Sequence, residues 1–183
     1  MNSPSLLRAR LGLLLDGLSL LVLCGAIVLY FTTRTGTAAP PQPGPAALRD
    51  SAFAPLRVED SAGNPRLLVP DPRARGLLLY VFKSDCPACG LQRPEWERIA
   101  RLARARAVQV AALTVEPLSP SVRNYFGSAA IPAFRAIDPG AALAALQTAL
   151  VPTTILVTDR GHIAFHAMGL LDPIRTRRLE EAL

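Results

Sequence analysis

Two cysteines separated by two residues, Cys86-Pro87-Ala88-Cys89, are the side chains of this protein best suited to chemistry. Thiols at that spacing stand about one helical turn apart and can pass between dithiol and disulfide. Pro87 fits a first helical turn, where its missing donor costs nothing. Cys86 then falls at the cap. Unpaired backbone N–H groups and the positive end of the helix dipole favour a thiolate there. Thiolate is the attacking species in disulfide exchange. Cys89, nearer the interior, is placed to attack a mixed disulfide formed on Cys86. Cys86 is therefore the expected nucleophile and Cys89 the resolving thiol. Asp85 sets a negative charge beside the first sulfur and opposes part of its stabilisation.

The elements that position this pair can be read on either side of it. Residues 77–82 form an apolar run, and strand 76–83 is expected at the centre of a sheet covered on both faces. The helix should run from residue 87 to about 105, with Pro94 inside it. Upstream, residues 53–59 and 66–69 flank Ser61-Ala62-Gly63-Asn64-Pro65 and read as a hairpin. Downstream, the pattern predicts strand 107–115, a short helix from Ser119-Pro120, strand 133–137 and helix 141–149. Strands 153–158 and 162–167 follow, joined by Asp159-Arg160-Gly161, and helix 174–183 closes the chain. This order implies a mixed sheet between helical layers.

Cys86-Pro87-Ala88-Cys89 after a strand, with Val151-Pro152-Thr153 opening a late hairpin, resembles the thioredoxin fold. Residues 50–183 are most similar to the anchored TlpA/ResA-like thiol-disulfide oxidoreductases. The resemblance implies an α/β thioredoxin-like three-layer sandwich with a central mixed sheet. It also implies that Pro152 is cis and faces the dithiol, and that Val151 pairs with the substrate backbone. Pro87 and Ala88 complete the expected substrate-binding positions. Several residues depart from the family pattern. Tyr80 stands where thioredoxins carry a buried acid, Asp85 where a Trp is common, and Ala88 where a Pro is common. Gln92 replaces the Glu of ResA-like proteins, which removes a proton acceptor for Cys89. Glu116, after the strand ending near residue 115, and Lys83 are the substitutes in reach for proton transfer.

Composition narrows the rest. The net charge of +6 includes Arg8, Arg10 and Arg34 near the N-terminus, and the remaining arginines are scattered. No basic cluster interleaves with aromatics, so no nucleic-acid partner is expected. Three cysteines, Cys24, Cys86 and Cys89, exclude a framework of structural disulfides. His162 and His166 lie about 13 Å apart along a strand, too far to share one metal. No metal and no small cofactor are expected.

Residues 11–31 are long enough to cross a bilayer and carry one charge, Asp16, near the start. Arg8 and Arg10 before the run, against Arg34 after it, predict a cytoplasmic N-terminus over residues 1–10. Residues 32–51, rich in Pro and Gly, read as a tether to a domain over 52–183. Cleavage after Thr37-Ala38-Ala39 and lipidation at Cys24 are the alternatives to an uncleaved anchor. The expectation is a single-pass protein of the bacterial inner membrane, its domain in the periplasm or outside the cell. It would exchange with protein thiols or disulfides and draw on a membrane-bound or soluble electron donor. Reduction of protein disulfides is the first reading. A DsbA-like thiol oxidase, a thiolate copper chaperone and a redox-inactive tethered interaction domain are the others.

Overall fold

The first hairpin forms as β1 (Leu56–Glu59) and β2 (Pro65–Leu68), paired antiparallel. Asp60 makes its turn. One carboxylate oxygen accepts from the amides of Ala62, at 2.9 Å, and Asn64, at 3.0 Å, while Gly63 takes φ 84°. Those amide hydrogen bonds hold the Asp60 carboxyl below its ordinary range. β1 is shorter than the sequence pattern predicts, while β2 keeps its expected length and starts one residue earlier. In the computed structural model the described residues are 51–183. The expected anchor, residues 1–10 and residues 32–50 of the expected tether lie outside them. Among the described residues no helix is long and apolar enough to cross a membrane.

β3 (Gly76–Phe82) is buried at every position. Successive side chains point to opposite faces, and here both faces are covered. Leu78, Tyr80 and Phe82 pack into one core with Cys89, Trp96, Ile99 and Leu179. Leu77, Leu79 and Val81 pack into the other with Phe53, Ala142 and Leu146. A strand buried on both sides has no polar face, so its sequence is continuous rather than alternating.

Helix α1 (Pro87–Ala105) has the bounds its pattern predicts and continues through Pro94. β4 (Gln109–Thr114) begins two residues later than expected. Ala107 adopts φ 59°, and its amide bonds back to Arg104, so the chain is still leaving the helix at that point. Ser119 caps the short helix α2 (Pro120–Arg123), and a 3₁₀ turn at Gly127–Ala129 leads into β5 (Ala133–Ala136). Helix α3 (Pro139–Ala145) starts earlier and ends sooner than residues 141–149. Asp138 caps its start by accepting from the Ala141 amide at 2.9 Å. Gln147, at φ 47°, turns the chain away after its end.

β6 (Thr153–Thr158) and β7 (Ile163–Met168) form the late hairpin, and Asp172 caps α4 (Pro173–Ala182). The sheet order is β2-β1-β5-β4-β3-β6-β7. β3 runs parallel to β4 and antiparallel to β6, and β5 runs parallel to β4 and antiparallel to β1. The sheet is mixed, as expected. The C-terminal ends of β3 and β4 and the start of β6 thus share one edge. That edge holds Cys86, Glu116 and Pro152.

Candidate active site

Cys86 is the N-cap of α1, with φ −84° and ψ 114°. Its sulfur accepts from the Cys89 amide at 3.4 Å, the bond that a capping side chain makes to a free first-turn donor. It also lies 3.9 Å from the Val151 carbonyl oxygen. Cys86 is half-buried, Cys89 is fully buried, and both are free thiols. Burial is the main influence raising the Cys89 thiol, to about 12. A backbone hydrogen bond with Lys83 pulls the other way, and Cys86 and Glu116 add to the rise.

The wall facing Cys86 is the segment before β6. The Val151–Pro152 bond is cis, as the resemblance implies, and Pro152 is buried. Polar contacts hold this segment at both ends. Leu150 O accepts from the Thr148 hydroxyl at 3.0 Å and the Thr153 hydroxyl at 2.6 Å, and Pro152 O accepts from the Gly169 amide at 2.7 Å. Gln92 ties the neighbouring loop to α1, its Oε1 accepting from the Leu171 amide at 2.7 Å. Gln92 is buried, and its Nε2 finds no partner among the described residues. Pro87 is exposed at the rim, while Ala88 and Val151 are half-buried beside it.

Glu116 is drawn toward the dithiol. Ser84, two residues before Cys86, donates its amide to one carboxylate oxygen at 2.6 Å and its hydroxyl to the other at 3.2 Å. The Thr114 hydroxyl adds a third bond at 3.3 Å. Lys83 points elsewhere: its ammonium lies 3.3 Å from the Asp85 carboxylate, in a largely exposed pair. Tyr80, at the position of the thioredoxin acid, is wholly buried and donates its hydroxyl to Trp96 O at 2.9 Å. Burial raises its phenol far above the ordinary range, so it stays neutral.

Sequence reasoning passed over Ser84 and Thr114, which hold Glu116, and Tyr125, whose ring lies 4.7 Å from that of Phe82 at the end of β3. No local pattern marks Ser84 and Tyr125, which act across the fold, whereas Thr114 acts on Glu116 from two residues before it. Among the described residues no group of three or more His, Cys, Asp or Glu side chains is arranged to hold a metal. His166 is half-buried with its Nε2 3.1 Å from Leu146 O, and His162 is exposed in a bridge to Ala52.

No protein-family model matches the chain. No curated protein matches it either. Solved structures do. The thioredoxin domain of a thiol-disulfide oxidoreductase from Bacteroides vulgatus superposes with a TM-score of 0.61 at 14% identity, over 73% of this chain and 96% of that one. The fold is thioredoxin-like. A thiol:disulfide interchange protein of the thioredoxin family from Chlorobium tepidum gives a TM-score of 0.57 at 17% identity, over 73% and 97%. StoA from Bacillus subtilis gives 0.52 at 16% identity, over 71% and 96%. The thioredoxin-like domain thus accounts for nearly the whole length of each of these chains, and identities this low speak for the fold alone.

Proposed function

We propose that this protein is a thiol-disulfide oxidoreductase that reduces protein disulfides through Cys86 and Cys89. One observation carries the reading: the half-buried Cys86 sulfur caps a helix and faces the Val151 carbonyl beside a cis proline, with a buried thiol one turn behind it. The solved structures that share the fold and are described as thiol-disulfide oxidoreductases or interchange proteins support it.

The cycle balances without a cofactor. Cys86 thiolate attacks one sulfur of a substrate disulfide, and the other substrate sulfur leaves as a thiolate. Cys89 loses its proton and attacks Cys86, closing the Cys86–Cys89 disulfide and releasing the second substrate thiolate. The substrate is reduced by two electrons and the dithiol is oxidised by two. A membrane-bound or soluble dithiol donor then restores the pair. Glu116, held by Ser84 and Thr114 on the same edge, is the better placed of the two proton-transfer residues to receive the Cys89 proton. Val151, Pro87 and Ala88 line the face that meets the substrate.

In this proposal the apolar run over residues 11–31 tethers the domain to a bacterial inner membrane, and the arginines around it place the domain in the periplasm or outside the cell. Val151 before the proline and Ala88 before Cys89 favour a second reading, a DsbA-like oxidase using the same sulfurs in the opposite direction.

Incubating Cys89→Ala with a disulfide-bonded protein tests the exchange itself. It should leave a covalent adduct on Cys86, visible on a non-reducing gel and released by dithiothreitol, whereas Cys86→Ala should leave none. Adduct formation by neither variant would overturn the reading. The pH dependence has a definite sign. A thiol raised to about 12 is almost wholly protonated at pH 7. Its thiolate fraction grows about tenfold per pH unit below that value. Product release by Cys89 should therefore quicken from pH 7 to pH 9 when followed by stopped flow. A flat profile would show that Cys89 deprotonation does not limit the step.

A further inference from the structure

We propose that Thr148 is a positioning residue for the substrate: its buried hydroxyl, together with that of Thr153, holds the chain so that the Val151 backbone faces Cys86 and meets the backbone of a polypeptide disulfide. The inference rests on the thiol–disulfide reading above and goes beyond it.

Val151 lies in a short segment, residues 147–152, between α3 and β6. Side-chain burial does little to fix its middle, since Leu150 is 62% exposed and Val151 only half-buried. Backbone groups outside a ladder must find other partners, and here these partners hold the chain. The Leu150 carbonyl accepts from the Thr153 hydroxyl at 2.6 Å and from the Thr148 hydroxyl at 3.0 Å. Beyond Val151, the Pro152 carbonyl accepts from the Gly169 amide at 2.7 Å. Both neighbouring carbonyls are thus taken by the protein. The Val151 carbonyl between them lies 3.9 Å from the Cys86 sulfur.

The two threonines come from well-fixed elements. The Thr148 amide donates to Leu143 O, in α3, at 3.0 Å. Thr153 opens β6 and is paired with Val81 on one side and Met168 on the other. Both side chains are buried, and their hydroxyl oxygens lie 2.7 Å apart. Two protons therefore serve three close contacts. The Thr153 proton takes the shortest, to Leu150 O, and the Thr148 proton is shared between that carbonyl and the Thr153 oxygen. Each hydroxyl polarises the other, and removing either leaves a buried oxygen short of a partner.

The peptide plane carries this hold to Val151. The Leu150–Val151 bond is trans, and in a trans peptide the C=O and the following N–H point in opposite directions. A Leu150 carbonyl turned toward the buried threonines turns the Val151 N–H away from them. The segment then presents backbone groups beside the Cys86 sulfur, the arrangement by which an extended polypeptide is bound. A disulfide without a peptide backbone gains nothing from it.

That difference is the test, made on the full-length protein. Insulin, with dithiothreitol as the reductant, is a polypeptide disulfide. Ellman's disulfide has no backbone: Cys86 attacks one sulfur and the other leaves as thionitrobenzoate. Thr148→Val removes the hydroxyl and keeps a branched side chain. It should raise KM for insulin roughly fivefold with kcat within about twofold, and leave the first thionitrobenzoate release unchanged. Thr148→Ser keeps the hydroxyl and should keep the wild-type KM. Thr148→Ala is read in the same way if the valine variant does not fold. An unchanged KM, equal slowing with both disulfides, or a KM raised as far in Thr148→Ser would overturn the inference and leave the exchange reading intact. Failure of both the valine and the alanine variants to fold would overturn it too, since the hydroxyl would then act on stability. A wild-type protein that releases no thionitrobenzoate would overturn both.

Discussion

Cys86→Ser is expected to abolish reduction of insulin by the protein in the presence of dithiothreitol, lowering the rate above background by a factor on the order of a thousand or more. The substitution is a clean one. Serine is among the best N-cap residues, and its hydroxyl can take over the bond from the Cys89 amide. The helix and its packing should survive, so an unchanged melting curve belongs to the prediction. What is lost is the nucleophile. An alcohol does not form an oxyanion at neutral pH, and thiolate is the species that attacks a disulfide. Cys89 cannot replace it, because it is fully buried and raised to about 12. Retention of even a tenth of the activity in Cys86→Ser would show that another group begins the exchange.

Trp96→Ala should destabilise the domain by about 3–5 kcal/mol, measured from the midpoint of urea unfolding. Trp96 is wholly buried in the core that backs the dithiol. Its ring stacks on Tyr80 with centroids 4.9 Å apart, and its Nε1 donates to the Thr154 hydroxyl at 2.8 Å. Truncation opens a cavity and leaves that hydroxyl without its donor, and both effects act in the same direction. Thr154 lies two residues beyond Pro152, so the same bond ties α1 to the strand that carries the facing wall. A loss below about 1 kcal/mol would mean that the aromatic cluster does not bear on stability as its burial indicates.

The dithiol and the elements around it are legible in the sequence because their signals are local. Spacing alone puts Cys86 and Cys89 one turn apart, and Pro87 marks the start of the helix. β3 reads as doubly covered because no polar residue interrupts 77–82. The ends of other elements are less legible. Asp138 starts α3 early by capping it, while Gln147 in a left-handed conformation ends the segment before the Thr148 and Thr153 contacts that brace the wall. Neither choice shows in an alanine-rich stretch whose periodicity continues to residue 149.

The surroundings of the sulfurs are legible only in part. Glu116 can be placed on the right edge from strand direction, but its capture by Ser84 spans 32 residues of sequence and depends on the parallel pairing of β3 with β4. Gln92 reads as a missing acid, whereas in the fold it is a brace for the loop beyond β7. Tyr125 gives no sequence signal at all: its hydroxyl is buried without a partner among the described residues, a property that exists only once the core has formed.

The most direct test of the dithiol reading is a redox titration of the wild-type protein in dithiol–disulfide buffers, with the Cys86–Cys89 state followed by alkylation and mass. The account predicts one two-electron couple with a strongly reducing potential, on the order of −270 mV. A potential near about −120 mV would contradict the reducing direction. Failure of the two thiols to form a disulfide with each other at any potential would contradict the exchange mechanism itself.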